Sequence, residues 1–122
     1  MIGIMTFHGS HNYGSVLQAY ATQRLLDNLN YKSEIINFRM KSQKEYYSLY
    51  PLTYGIRTAM GNAMLVPYHK ARRIRWNKFE LFMKSRYQLS GPDLETYEDL
   101  QKVSSKYDIY LTGSDQVWSN RI

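Results

Sequence analysis

Residues 2–14 read IGIMTFHGSHNYG. A mostly apolar run, Ile2 to Phe7, passes directly into a loop of glycine, serine, histidine and asparagine. An apolar run this short, bounded by turn residues, suits a buried strand. From Ser15 to Leu29 the pattern becomes helical, with Ala21, Leu25 and Leu29 stacked four apart and Thr22 and Leu26 beside them. SEIINF, residues 33–38, reads as a second strand. Strand, helix and strand in this order form a βαβ unit, whose strands lie parallel with a right-handed crossover.

Working outward, residues 40–67 are punctuated by Pro51, Gly55, Gly61 and Pro67 and read as an irregular insertion with one short helix. An amphipathic helix follows from Tyr68 to Tyr87. Tyr68, Ala71, Phe79, Phe82 and Met83 share one face, and Lys70, Arg73, Asn77 and Lys84 share the other, solvated one. LSGPDL breaks it, and Thr96 with Asp99 makes a capping-box start for a short helix to about Ser104. Asp108 to Thr112 is a last strand, ending in Gly113. The order predicts an α/β domain, a three-layer Rossmann-like parallel sheet.

In such sheets ligands sit beyond the carboxyl ends of the strands, at the point where strand order reverses. HGSHNYG and GSDQVW both leave carboxyl ends, and adjacency of the first and last strands makes them face one crevice. Gln18, a polar residue on the apolar helical face, needs a partner there. The reading has it pinning the Gly113–Ser114 turn or meeting ligand.

Composition sets the outer limits. The 122 residues are 43% hydrophobic, enough for one domain with a real core. There is no cysteine, hence no disulfide and no thiolate metal site. No basic leader with an apolar h-region and no membrane-length apolar run is present, so a cytoplasmic protein without a membrane span is expected. The formal net charge of +6 attracts polyanions of any kind and sets no class. The basic stripe of the Tyr68–Tyr87 helix matches no nucleic-acid motif, and no nucleic-acid partner is expected.

The loop residues limit the chemistry further. HGSHNYG lacks the second glycine of GxGxxG, and Ser15 and Val16 stand where a P-loop needs Lys and Ser/Thr. A helix N-terminus near Gly14 could hold an anion, or Gly14 simply permits a tight turn. His8 and His11 are spaced HxxH with no further ligands, so no metal is expected. An imidazole acting as general acid or base fits better. Asp115 is either a turn carboxylate or a general base toward a sugar hydroxyl. Trp118 either stacks on a sugar ring or packs in the core.

IGIMTFHGSHNYGSVLQAYATQRLL, together with KFELFMKSRYQLS, the DL of EDL and YDIYLTGSDQVWSN, resembles the polysaccharide pyruvyl transferase family. The likeness covers residues 1–39 and 76–120, and NYG-x-x-LQ combined with GSDQVW carries it. The resemblance implies the N-terminal half-domain of a glycosyltransferase-B-like fold, in which two α/β domains face across a cleft. It implies transfer of the enolpyruvyl unit of phosphoenolpyruvate to a saccharide acceptor, with both as partners and no separate cofactor. It places Asn12, Tyr13, Gly14, Gln18, Gly113, Ser114, Asp115, Gln116 and Trp118 at the family's N-domain positions. Asp115 is the catalytic candidate among them, joined by His8 and His11 on the strength of their imidazoles alone, and the rest are candidates for substrate binding. It also implies that residues 1–122 are an incomplete N-terminal domain, inactive alone, whose C-terminal domain supplies most cations for the donor. The rival readings are a non-catalytic saccharide- or partner-binding remnant, part of a nucleotide-sugar glycosyltransferase, and a nucleic-acid module using the Lys70–Lys84 stripe.

Overall fold

The computed structural model describes residues 1–51 and 55–113. Eight main elements follow in chain order: β1 (Ile2–Met5), α1 (Tyr13–Asn28), β2 (Ser33–Ile35), α2 (Lys41–Tyr46), α3 (Ile56–Met64), α4 (His69–Arg86), α5 (Tyr97–Val103) and β3 (Ile109–Thr112). The three strands form one sheet in the order β2-β1-β3. Both pairings are parallel, with Ile4 opposite Ile35 on one side and Leu111 on the other. The expected βαβ unit and the adjacency of first and last strands are both present.

Ile4 and Ile35 are fully buried and, as register partners, point to the same face. Val16 and Ala19 of α1, Phe79 and Met83 of α4, and Tyr87 close over them. Both long helices therefore pack on one face. On the opposite face Tyr107 and Ile36 crowd Gly3 so closely that an added Cβ would lie 2.8 Å from the Tyr107 ring. Among the described residues, no buried helix core covers that second face, so a third layer is not shown.

The sheet's edges differ. Outside β2, residues 88–94 run alongside: Gln88 and Leu94 carbonyls accept from Ile35 and Arg39 N–H, and Ile35 and Asn37 carbonyls accept from Ser90 and Leu94 N–H. On the other edge, Ile109, Tyr110 and Leu111 are all exposed. Capping is local and legible. Asn12 accepts from Gly14 N–H at 2.8 Å to start α1, and Thr96 and Asp99 form the expected reciprocal box at α5.

Four expectations need correction. The α1 stripe of Ala21, Leu25 and Leu29 is exposed; Val16, Ala19 and Gln23 face the core instead. The sheet lies toward the i, i+3, i+7 row, and α1 is apolar on more than one side, so periodicity alone picked the wrong face. The second strand is shorter than 33–38, with only an isolated bridge at Phe38. The insertion holds two helices and a 3-10 turn rather than one helix. In the Tyr68–Tyr87 helix, Tyr68 and Ala71 are exposed while Phe79, Phe82 and Met83 pack.

Candidate functional site

The carboxyl ends of β1 and β3 meet at Gly113. Its N–H donates to the Met5 carbonyl at 3.1 Å, continuing the ladder one residue past β3. A Cβ on Gly113 would sit 2.7 Å from the Thr6 hydroxyl and 3.3 Å from Gln18 Nε2. Glycine is thus required by the close approach of two polar side chains. Gln18 reaches this turn as expected, although from a half-buried flank of α1 rather than from its core row.

The β1–α1 loop sends its two histidines to different neighbours. His8 is 2% exposed, with Nε2 3.0 Å from Asn37 Oδ1. Asn37 Nδ2 donates to the Gly91 carbonyl and to Asp93, so its Oδ1 faces His8 Nε2 as an acceptor, while the Thr6 carbonyl lies 3.2 Å from Nδ1; a neutral ring donates to only one of the two. Burial lowers the His8 pKa and outweighs the Asn37 and Thr6 contacts that would raise it, so the ring is neutral at pH 7. Lys44 closes the knot against Asp93 and Glu95 at 2.5 and 2.6 Å. Burial works to raise Asp93, but hydrogen bonds from Lys44 and Asn37 hold its carboxyl below the usual range. Gly9 is pressed against Arg39, whose Nε would lie 2.3 Å from an added Cβ, and that guanidinium donates to the Gly9 carbonyl at 3.4 Å.

His11 points the other way. Its Nε2 lies 2.6 Å from Glu80 Oε1, and its ring stacks on Phe79 at 5.3 Å and meets Trp76 edge-on at 5.4 Å. The hydrogen bond with His11 holds the Glu80 pKa below its usual value, against the opposing effect of burial. Tyr13 is exposed and tilts over Phe79 at 4.8 Å, with the Arg75 guanidinium 5.7 Å from its ring. A cavity of about 180 Å³ opens here, lined by His11, Tyr47, Arg72, Arg75, Trp76 and Phe79 among others. A larger one, about 520 Å³, lies at the amino ends of the strands beside Met1, Ser33 and Glu34. Size favours the latter, but the carboxyl-end rule for parallel sheets and the converging side chains favour the former.

Of the candidate residues, Gln18 and Gly113 come together, His11 and Tyr13 line the aromatic cavity or its rim, and Asn12 and Gly14 form the α1 cap. His8 lies beneath the loop in the Asn37 knot. Ser114, Asp115, Gln116 and Trp118 lie outside the described residues. The polar positions Lys70, Arg73, Asn77 and Lys84 are exposed as expected. Among the described residues no three His, Asp or Glu side chains gather to hold a metal ion, and no helix is long and apolar enough to cross a membrane.

The family model for polysaccharide pyruvyl transferase matches residues 12–122, from the α1 cap through β3 to the GSDQVW segment. The chain belongs to the polysaccharide pyruvyl transferase family. No curated protein and no solved structure matches it. Membership implies a saccharide-related substrate and a transferase-type activity.

Within this family member, sequence reading missed several residues that shape the site. Gln23, 1% exposed, exchanges two hydrogen bonds with the Gln88 backbone, each 3.0 Å, and so ties α1 to the segment beyond α4. The sequence pattern assigns Phe79 to the core face of the helix and gives Arg72, Arg75 and Trp76 no role. They form one row at i, i+3, i+4 and i+7 along α4, a spacing that could have revealed a mixed aromatic and cationic face. Asn37 and Asp93 left no signal, because their pairing spans 56 residues of chain.

Proposed function

We propose that this chain forms the N-terminal α/β half of an enzyme that builds a pyruvate ketal on a saccharide, using phosphoenolpyruvate as donor. The observation that carries this reading is the junction at Gly113, where Thr6 and Gln18 bring the β1–α1 loop to the start of GSDQVW, within a family-matched segment. In the reaction one acceptor hydroxyl adds to C2 of the donor while its methylene takes up a proton and becomes methyl. A second hydroxyl then displaces phosphate at the same carbon, and its proton leaves with the phosphate. Both steps need a base near the hydroxyls and an acid near the methylene. Asp115 and His11 are our assignments for those roles. His8 is better suited to hold the loop, since its ring is buried and committed to Asn37.

Phosphoenolpyruvate concentrates negative charge on a phosphate and a carboxylate, and such a ligand needs several converging donors. Arg39 behind Gly9 and Arg75 beside Tyr13 supply part of that charge. The rest we assign to a second α/β domain facing this one in a glycosyltransferase-B-like arrangement, and the exposed apolar residues of β3 suit further packing there. Phosphate release from phosphoenolpyruvate in the presence of saccharide acceptors tests the reading. Residues 1–122 alone should release none. The same residues carried in a longer polypeptide with a second α/β domain should release it, and D115N should abolish that release. Turnover by residues 1–122 alone would contradict the division of labour. Release that survives D115N would contradict the base assignment.

A further inference from the structure

The cavity beside His11 is held open by contacts that need no ligand. Trp76 Nε1 donates to the Tyr47 carbonyl at 3.1 Å, and Arg72 Nη2 donates to the Leu49 carbonyl at 2.9 Å. The Tyr50 ring stacks on His69 at 5.7 Å and lies 4.9 Å from the Arg72 guanidinium. These four contacts clamp the segment after α2 onto α4. One donor is left over: Arg72 Nη1 is buried with no hydrogen-bond partner. A buried guanidinium N–H without an acceptor is costly, and native proteins rarely leave one so. An oxygen of a bound anion would satisfy it.

The remaining walls define what carries that oxygen. Trp76, Tyr47 and Phe79 give flat apolar surfaces of the kind that pack against the C–H face of a sugar ring. Arg75 adds a second guanidinium at the rim. Glu80 is not among the lining residues, and its Oε1 is engaged by His11 Nε2 at 2.6 Å. At about 180 Å³ the space falls below the roughly 300–1,000 Å³ of sites that enclose drug-sized ligands. It suits one ring, not a nucleotide sugar.

We propose that this pocket binds a single sugar unit bearing a carboxylate or phosphate group, with the anion on Arg72 and Arg75 and the ring against Trp76. The inference rests on the saccharide reading above and names the class of acceptor it would recognise. Tyr47, Arg72 and Arg75 lie outside the motif resemblance of residues 1–39 and 76–120, whereas His11, Trp76 and Phe79 lie within it.

The test is two-dimensional NMR of the 122-residue chain, following the Trp76 indole N–H, with W118F identifying the second indole. Glucuronate, glucose 6-phosphate, glucose and inorganic phosphate are titrated separately. Both sugar anions should shift the Trp76 signal saturably, and glucose and inorganic phosphate should bind at least about tenfold more weakly. R72Q and R75Q should each weaken glucuronate binding about tenfold, whereas K70Q on the solvated stripe should not. R72Q removes a clamp as well as a charge, so R75Q carries the test if the first variant unfolds. The proposal is overturned by no saturable shift with either sugar anion, or by equal binding of inorganic phosphate, which marks a plain anion site. Equal binding of glucose, or equal weakening by K70Q, overturns it too. A Trp76 shift without phosphate release from a two-domain polypeptide would refute the reaction and leave this pocket standing. Release without the shift would do the reverse.

Discussion

His8 and His11 leave the same loop three residues apart and enter two regions built on different terms. Around His8 the polar groups are densely paired: Asn37 bridges His8, Gly91 and Asp93, and Lys44 bridges Asp93 and Glu95. Around His11 the aromatic rings outnumber the hydrogen bonds, the walls are half open, and Arg72 keeps one buried donor unpaired. The first region is committed to hydrogen bonds and ion pairs within the chain, which is what buried polar residues need for a stable fold. The second retains capacity for something outside the chain. The lesson is that polarity at a carboxyl-end loop does not by itself mark a ligand site; the satisfaction of its partners decides.

That contrast can be broken most forcefully at Asn37. N37A removes the acceptor of His8 and the donor to Gly91 and Asp93 at once, within a site 4% exposed. We expect a loss of about 3 kcal/mol in chemical denaturation, since stranded buried groups cost roughly 1–3 kcal/mol each but relax in part. A loss under 1 kcal/mol would mean the knot is not what holds the loop. Next in size is Q23L, which keeps the packing volume but strands the Gln88 N–H, while the Gln88 carbonyl still accepts from Ile35 N–H. About 2 kcal/mol should go, measured the same way.

Acid should separate the two regions by pH window. Burial depresses the folded-state pKa of His8 below its ordinary 6.5, while Arg39, Asp93 and the Tyr87 ring surround it. The unfolded chain then binds the proton first. Stability is fully present above about pH 6.5 and falls as pH drops below it, by at most about 1.4 kcal/mol per pH unit. H8Q should flatten this slope in thermal scans between pH 7.5 and 5.5. Glu80 also has a lowered pKa, so its contribution holds above its ordinary 4.5 and is lost only as pH falls through the lower folded value. E80Q should change stability at pH 7 by less than about 1 kcal/mol, because the pair is partly solvent-screened. It should act only on the acid limb of the same scans.

The sequence disclosed the fold better than the site, for physical reasons. β1, β3 and their parallel adjacency were readable because short apolar runs and a βαβ crossover leave few topologies open. The Thr96–Asp99 box was readable because it rests on a local rule, whereas Gln18 meets Gly113 from a flank of α1 that the Ala21 and Leu25 stripe does not mark. The core row of α1 was not readable, since Leu17, Ala21, Leu25 and Leu29 make an apolar stripe at helical spacing that the described residues leave exposed. Only the position of the sheet distinguishes it from Val16, Ala19 and Gln23. The aromatic cavity was hidden for a similar reason. It joins α4 to the segment after α2 across more than a turn-rich insertion, and no local pattern encodes that docking.

The account's central claim is that His8 serves the fold and His11 serves binding. Thermal unfolding of H8Q and H11Q, each with and without saturating glucuronate, tests it in one measurement, since a ligand of the native state raises Tm. We predict that H8Q lowers Tm by several degrees, roughly 4 °C or more for a loss of about 1 kcal/mol in a domain of this size, and keeps the ligand-induced rise. H11Q should keep its Tm within about 2 °C and lose most of that rise. A stable H8Q without the ligand response, beside a destabilised H11Q that retains it, would contradict the account.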